Sequence, residues 1–505
     1  MIPSVDPRTG QTAAELDAET TSADLERITA AAAAATRELA ELSRSGRAEM
    51  LRSMGRSLER HRDDLVAIAD RETGLGPVRL GGELTRTRWQ LDLFADVLED
   101  GGYLEATIDH AGDTPMGPRP DLRRMLTPLG PVAVFGASNF PFAFSVPGGD
   151  TASALAAGCP VVAKVHDAHP LTSVRSQEAL AEGARAAGVE SDVVSVIYGR
   201  RAAGDLVRHP SIRAVGFTGS LSVGRELFDV AGARPTPIPF YGELGALNPV
   251  MVCREAARSR GESIGQGLAA SFTLGVGQFC TKPGVALIPA SSDGDALRDA
   301  LVGAVEQLPA GVMLSERTRN AFAGGSVALR EHPGVQVLAE GGGGKERGWW
   351  GTPLLLRADA RGLDGPVLDE CFGPVLVLVE YGSDDDLLAL LARFGPALTG
   401  TVHADDADRP VAARILRMLQ DSVGRVVWNG YPTGVAVSWA MHHGGPYPAT
   451  TNPLHTSVGA TSIRRWLRPI SFQDVPDALL PDELRDRPTG GQLPRRVDGR
   501  LLLAD

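Results

Sequence analysis

The sequence predicts an α/β protein with two parallel-sheet domains and a smaller β element attached. Three observations lead there. Short apolar strands alternate with helices from Pro131 to Ser220, the order expected of parallel βαβ units. The alternation starts again near Gly242, which implies a second unit of the same kind. The 505 residues exceed what one hydrophobic core organises, so two or three domains are expected.

Composition narrows the function. Hydrophobic content of 43% and charged content of 22% are those of an ordinary globular protein. A net charge of -12 argues against coating nucleic acid. Only Lys164, Lys282 and Lys345 among the 50 basic residues are lysines, and two of them fall in the motifs below. Four cysteines (159, 253, 280 and 371) in so long a chain make no disulfide scaffold, and no Cys-x-x-Cys pair suggests zinc. The opening residues lack the pattern of a signal peptide, and no apolar run reaches the roughly 18 residues that span a bilayer. A cytoplasmic protein in a reducing compartment, with no membrane partner, is the expectation.

Taken in order, residues 1–20 read as an extended entry segment. A helix is predicted from Asp24 to about Leu42, capped by Thr21 or Ser22, because an alanine run gives it high propensity. A second runs from about Gly46 to Arg71, with Met50, Leu51, Met54, Leu58 and Leu65 near helical spacing. A third covers about Leu84 to Leu98. Leu122 to Gly130 reads as strand and turn. Strands at 131–135, 160–164, 193–197 and 212–218 then alternate with helices at 151–157, 171–187 and 202–208. The second unit has strands at 249–252, 285–288, 335–338, 374–378, 399–402 and 424–429. Its helices lie at 257–275, 294–306, 384–393 and 409–419. Gly341 to Gly344 is a flexible loop. The stretch from Pro446 is Pro-rich and irregular, and its Leu501-Leu502-Leu503 tail is too apolar to be free. It packs on a partner subunit or on the chain's own edge strand. The implied domains are 1–242, 243–445 and a bridging segment 446–505, with 116–130 joining the last in an oligomerisation element.

One cysteine stands apart. Cys280 closes Gly275-Val276-Gly277-Gln278-Phe279-Cys280, after an apolar helical stretch and before Thr281-Lys282-Pro283-Gly284. Glycines allow close approach of the backbone to a ligand. A thiol there reads as an activated nucleophile or as a small buried hydrophobe. Other pieces precede and follow it: Asn139 after a strand, Lys164 at the end of the next, and Gly219-Ser220-x-x-x-Gly224 opening a helix. Glu243 stands in Tyr-Gly-Glu-Leu-Gly-Ala-Leu-Asn-Pro, and Glu370-Cys-Phe-Gly-Pro follows the cysteine. In this order the set resembles the aldehyde dehydrogenase superfamily along nearly the whole chain, which implies an aldehyde dehydrogenase-like fold with two Rossmann-like domains and a small β oligomerisation element.

The resemblance implies roles that the residue chemistry supports. Cys280 attacks the aldehyde, Asn139 and the Cys280 backbone N–H hold the oxyanion, and Glu243 activates water against the resulting thioester. Lys164, Gly219, Ser220 and Gly224 bind the dinucleotide, the glycine turn through a helix N-terminus. Glu370 holds the nicotinamide ribose, with Phe372 packed nearby. No metal site is expected, because His442-His443 lacks a third ligand at suitable spacing. A CoA-acylating enzyme and a non-catalytic binding protein on the same fold are the rival readings. Glu243 argues against the first, and the intact set of Asn139, Glu243, Cys280 and Glu370 against the second.

Finer similarity points to a branch. Phe135 to Ser145, Gly148 to Pro160 and His443 to Thr450 resemble the branch of 2,5-dioxovalerate (α-ketoglutarate semialdehyde) dehydrogenases, with fatty-aldehyde enzymes nearby. A distal keto acid needs a cation, and Arg86 with Gln90 one turn on is the candidate, though Arg86 reads equally as a surface helix arginine. Ser438 and His443 are placed at the same entrance. Many NAD-using members carry a glutamate three residues after the strand-end lysine, and this chain has Asp167 there. NADP is expected ahead of NAD, with Lys164 and His166 offsetting Asp167 by positive charge; Asp167 facing water at a helix start is the other reading. A homodimer or homotetramer is expected.

Overall fold

The computed structural model describes residues 1–503 except 17, 191, 360, 361 and 492. Residues 1–20 include a two-stranded hairpin, Ile2–Asp6 against Gln11–Leu16. Four helices follow: α1 (Ser22–Glu41), α2 (Arg44–Arg60), α3 (Arg62–Thr73) and α4 (Pro77–Asp100). Thr21 caps α1 by accepting the Asp24 N–H while Asp24 reaches back, a reciprocal capping box. The single helix expected over 46–71 is two, broken at His61, whose Nε2 lies 2.7 Å from Glu182. Leu51, Met54, Leu58, Leu65 and Ala69 are buried in one core on either side of the break, so apolar spacing alone does not reveal it.

The first sheet is parallel and doubly covered. Its strands are β1 (Val132–Phe135), β2 (Val161–Lys164), β3 (Val194–Ile197), β4 (Ala214–Thr218) and β5 (Phe240–Glu243), in the order β5-β4-β1-β2-β3. The linking helices are α5 (Gly149–Ala157), α6 (Pro170–Ala186), α7 (Arg200–Arg208) and α8 (Leu221–Gly232). Val132, Val134, Val161 and Ala163 share one core with Met54 and Leu58, while Ala133, Phe135, Val162 and Val215 share another with Leu25 and Leu206. Continuous apolar runs are what a sheet covered on both faces requires. Strand β5 runs through Glu243, so the change of sheet falls after it rather than at 242/243.

The second sheet comprises β6 (Asn248–Val252), β7 (Pro283–Pro289), β8 (Val335–Glu340), β9 (Leu354–Ala358), β10 (Val375–Tyr381), β11 (Ala397–His403) and β12 (Val423–Trp428). Their order is β8-β9-β10-β7-β6-β11-β12, all parallel except the edge strand β8. Helix α9 (Arg254–Thr273) leads into the Cys280 loop. Elements without a sequence forecast include β5, the leucine run β9 and the helix Glu316–Glu331. The segment beyond Pro446 is more regular than its prolines suggest. Leu467–Gln473 pairs in full antiparallel register with Leu122–Pro128, and Arg500–Leu502 forms the edge of that five-stranded sheet. Among the described residues no helix is long and apolar enough to cross a membrane.

Candidate active site

Asn139 follows the carboxyl end of β1, Glu243 ends β5, and Cys280 precedes the start of β7. The nucleophile therefore sits at the amino end of the second sheet, facing the carboxyl ends of the first. Asn139 bridges the two by donating from Nδ2 to the Gln278 carbonyl at 2.8 Å. That uses one of its two amide hydrogens and leaves the other for an oxyanion.

The Cys280 loop is held in a strained turn. Gly275 (φ 56°), Val276 (φ 60°) and Gly277 (φ 64°) are successive left-handed residues. A branched residue in that region costs on the order of 1–3 kcal/mol, and it persists only where its surroundings over-determine it. They do so here. A Cβ on Gly277 would lie 2.2 Å from the Gly373 carbonyl oxygen. Gln278 donates to the Gly275 carbonyl at 3.1 Å and accepts the Leu314 N–H at 3.0 Å. Asn248 donates to the carbonyls of Cys280 at 2.8 Å and Lys282 at 3.0 Å, and accepts the Thr399 N–H at 3.0 Å. Sequence reasoning did not single out Gln278 or Asn248, although both stand inside the quoted motifs.

Cys280 Sγ lies 3.5 Å from His443 Nε2. The same nitrogen lies 2.8 Å from Glu243 Oε1, with the two side chains only 0% and 2% exposed. Ser457 donates to Glu243 Oε2 at 2.6 Å. His443 is thus in the centre of the site and not at its entrance. The C-terminal segment folds it in: its N–H donates to Thr456 Oγ1 at 2.7 Å, its carbonyl accepts the Ser457 N–H at 2.9 Å, and Leu244 N–H donates to the Ala449 carbonyl at 2.8 Å. Burial pushes the Cys280 thiol well above its ordinary range, and the adjacent Glu243 carboxylate adds to this. Burial also pushes Glu243 up, but contacts with His443, Ser457 and Cys280 outweigh it and hold the carboxyl below its usual range. At rest the site pairs a protonated thiol with an ionised carboxylate. Glu243 and Cys280, far from His443 in sequence, bring two further ligand-type atoms near it, the three atoms lying within 4.8 Å of one another.

Helix α4 forms the wall beyond the oxyanion loop. Glu83 accepts the N–H groups of Phe142 at 2.8 Å and Ala143 at 3.0 Å, and Arg79 donates to the Asn139 carbonyl at 2.8 Å. Gln90 is only 2% exposed and donates one amide hydrogen to the Ala143 carbonyl at 3.2 Å, so it braces this loop. Arg86 is no surface arginine. Its guanidinium lies 5.3 Å over the Phe144 ring and donates from Nη1 to the Val435 carbonyl. Its Nε and Nη2 are buried without a partner among the described residues. Burial pushes its pKa down, while Glu83 and then Cys280 and Glu243 push it up, so Arg86 shares the field of the nucleophile. Ser438 is half-buried in the loop after β12, and among the described residues no hydrogen bond joins it to the Cys280 cluster.

Lys164, His166, Asp167, Gly219, Ser220 and Gly224 lie at the carboxyl edge of the first sheet, while Glu370 and Phe372 precede β10 of the second. Ser220 is the N-cap of α8 with no side-chain capping bond, and Gly219 to Ser222 are exposed, which leaves first-turn N–H groups open to an anion. Gly224 serves packing: a Cβ there would lie 2.2 Å from Leu244. Lys164 Nζ lies 2.7 Å from Asp167 Oδ1, with the lysine side chain 14% and the aspartate 75% exposed. His166 stacks on His169 at 5.4 Å, and its Nδ1 accepts the Ala168 N–H. Burial, then His169 and Lys164, push its pKa down to about 3, so it brings no positive charge to offset Asp167. Glu370 lies against Gly245, where a Cβ would be 2.1 Å from its Oε2, and burial pushes its pKa up to about 7. Phe372, two residues on, is half-buried. An open helix start, a strand-end ammonium and a carboxylate fit a nicotinamide dinucleotide.

The sequence matches the model of the aldehyde dehydrogenase family over residues 1–448. The chain belongs to that family. It is 44% identical over 467 residues to alpha-ketoglutaric semialdehyde dehydrogenase 2 of Azospirillum brasilense, covering 90% of this chain and 88% of that one. It is 42% identical over 444 residues to alpha-ketoglutaric semialdehyde dehydrogenase of Acinetobacter baylyi, covering 87% and 84%. The 1-pyrroline-5-carboxylate dehydrogenase from Thermus, solved with bound NAD, superposes with a TM-score of 0.80 at 20% identity, over 93% of this chain and 89% of that one. That likeness shows the fold. This aldehyde dehydrogenase is an oxidoreductase that acts on an aldehyde with a nicotinamide dinucleotide.

Proposed function

We propose that this aldehyde dehydrogenase oxidises 2,5-dioxovalerate to 2-oxoglutarate, with NADP ahead of NAD. The observation that carries the substrate is Arg86, a buried guanidinium with two unpartnered donors in the field of Cys280 and Glu243. Its free edge suits a carboxylate bidentately. Two relatives named for this aldehyde support the same reading.

In this reading Cys280 Sγ bonds to the aldehyde carbon and its proton passes to the Glu243 carboxylate, within 4.8 Å, and on to solvent before hydrolysis. Asn139 and the Cys280 N–H hold the oxyanion. When bound at the α8 start, Lys164 and Glu370, the dinucleotide supplies a two-electron hydride acceptor. Glu243 then takes a proton from the water that cleaves the Cys280 thioester. Its Oε1 is free to accept, being buried without a well-aligned hydrogen bond despite the nearness of His443. The test compares kcat/KM for 2,5-dioxovalerate and pentanal in the wild type and in Arg86→Ala. The keto acid should be preferred, and the variant should lose roughly 1.5–3 kcal/mol, about 10- to 150-fold, on that substrate alone. Preference for pentanal rejects the substrate, and equal losses reject the role of Arg86.

We also infer a homodimer or homotetramer. Leu501, Leu502 and Leu503 are 58%, 47% and 69% exposed although Arg500–Leu502 is paired at a sheet edge. Open leucines on an edge strand suit a second copy of the chain.

A further inference from the structure

Cys280, His443 and Glu243 are a ligand set as well as a reaction centre. They offer a sulfur, an imidazole nitrogen and a carboxylate oxygen, the three donor types that zinc takes. We propose that these three side chains bind Zn2+ or a cation of similar softness, and that the bound ion reversibly withdraws the nucleophile. The proposal concerns the same residues as the reaction but not its substrate, and it stands even if the keto-acid assignment is wrong.

Distances support it. Tetrahedral zinc at ordinary bond lengths sets sulfur and nitrogen about 3.5 Å apart, and nitrogen and oxygen about 3.3 Å apart. Cys280 Sγ and His443 Nε2 are already 3.5 Å apart. His443 Nε2 and Glu243 Oε1, at 2.8 Å, need only open by about half an ångström to reach that spacing. Cys280 is fixed by Asn248 through its carbonyl, and the His443 ring packs edge-on against Phe144 at 6.4 Å. Ser457 orients the carboxylate from behind at 2.6 Å, the outer support that metal ligands usually have.

Charge also closes. On binding, the Cys280 thiol loses its proton to solvent, giving thiolate, neutral imidazole and carboxylate. Their charge of minus two cancels that of the ion, so the buried site becomes neutral. The sulfur lone pair then lies in the metal bond and cannot reach an aldehyde. Three protein ligands leave a fourth position for water.

The probe is Co2+, which reports its coordination by absorbance, added to the full-length protein without cofactor or aldehyde. The wild type should bind one Co2+ per chain, with tetrahedral visible bands and a thiolate-to-cobalt charge-transfer band, both displaced by Zn2+. Cys280→Ser should lose the charge-transfer band. His443→Gln, checked for folding by circular dichroism, should bind at least tenfold more weakly. Cys371→Ser should match the wild type. Absence of the charge-transfer band in wild type overturns the proposal, as does its survival in Cys280→Ser or undiminished affinity in folded His443→Gln. None of these readouts needs turnover, so they separate this proposal from the assignment of the reaction.

Discussion

Replacing Glu243 by Gln should make Cys280 more reactive toward alkylation while ending catalysis. The Glu243 carboxylate and Cys280 sulfur lie within 4.8 Å, and the carboxylate raises the thiol pKa after burial has done so. At 4.8 Å or less a unit charge pair is worth at least roughly 1 kcal/mol in water and about 3.5 kcal/mol in a partly buried site. Removing the charge should lower the thiol pKa, because the carboxylate is one of the causes that raise it. The sign follows from the direction: a raised thiol pKa keeps the wild type protonated and its alkylation by iodoacetamide slow until alkaline pH. In Glu243→Gln the midpoint of the rate profile should move to lower pH. With aldehyde and NADP the variant should form about one equivalent of NADPH per chain and then stall, because the water-activating carboxylate is gone. A midpoint that stays put or rises would refute the electrostatic argument, and sustained turnover would remove Glu243 from hydrolysis.

Other outcomes follow from the same geometry. Asp167→Ala releases Lys164 from its 2.7 Å ion pair and should raise kcat/KM for NADP relative to NAD; an unchanged ratio takes Asp167 out of the cofactor site. Gly277→Ala places a methyl 2.2 Å from the Gly373 carbonyl in a turn with φ of 64°. It should lower stability by about 1–3 kcal/mol in urea unfolding and lower kcat as well, and wild-type behaviour would contradict the strained-turn account. Light scattering at micromolar concentration should give a dimer or tetramer mass, and a monomer would reject the proposed assembly.

The strands were legible because they are short, apolar and doubly covered: Val132–Phe135 and Val161–Ala163 are buried throughout. The helix Glu316–Glu331 was not, since it buries only Phe322, Ser326 and Leu329 and otherwise reads as polar chain. The strand Leu354–Ala358 was not either, because its run is leucine, which suits a helix as well, and not the β-branched valine of the legible strands. In the site, Asn139, Glu243 and Cys280 could be found by local motif. His443 could not be placed, because its contact with Cys280 spans 163 positions and depends on how the C-terminal segment folds back. Helical spacing puts Gln90 beside Arg86 but does not reveal its bond to the Ala143 carbonyl, which spans 53 positions.

The most direct test of the account is peptide mass spectrometry of Glu243→Gln after a single turnover with 2,5-dioxovalerate and NADP. The account predicts a Cys280 peptide that carries the substrate less two hydrogens, as a thioester, in amount equal to the NADPH formed. NADPH formed with Cys280 unmodified and the acyl group absent from the protein would contradict it.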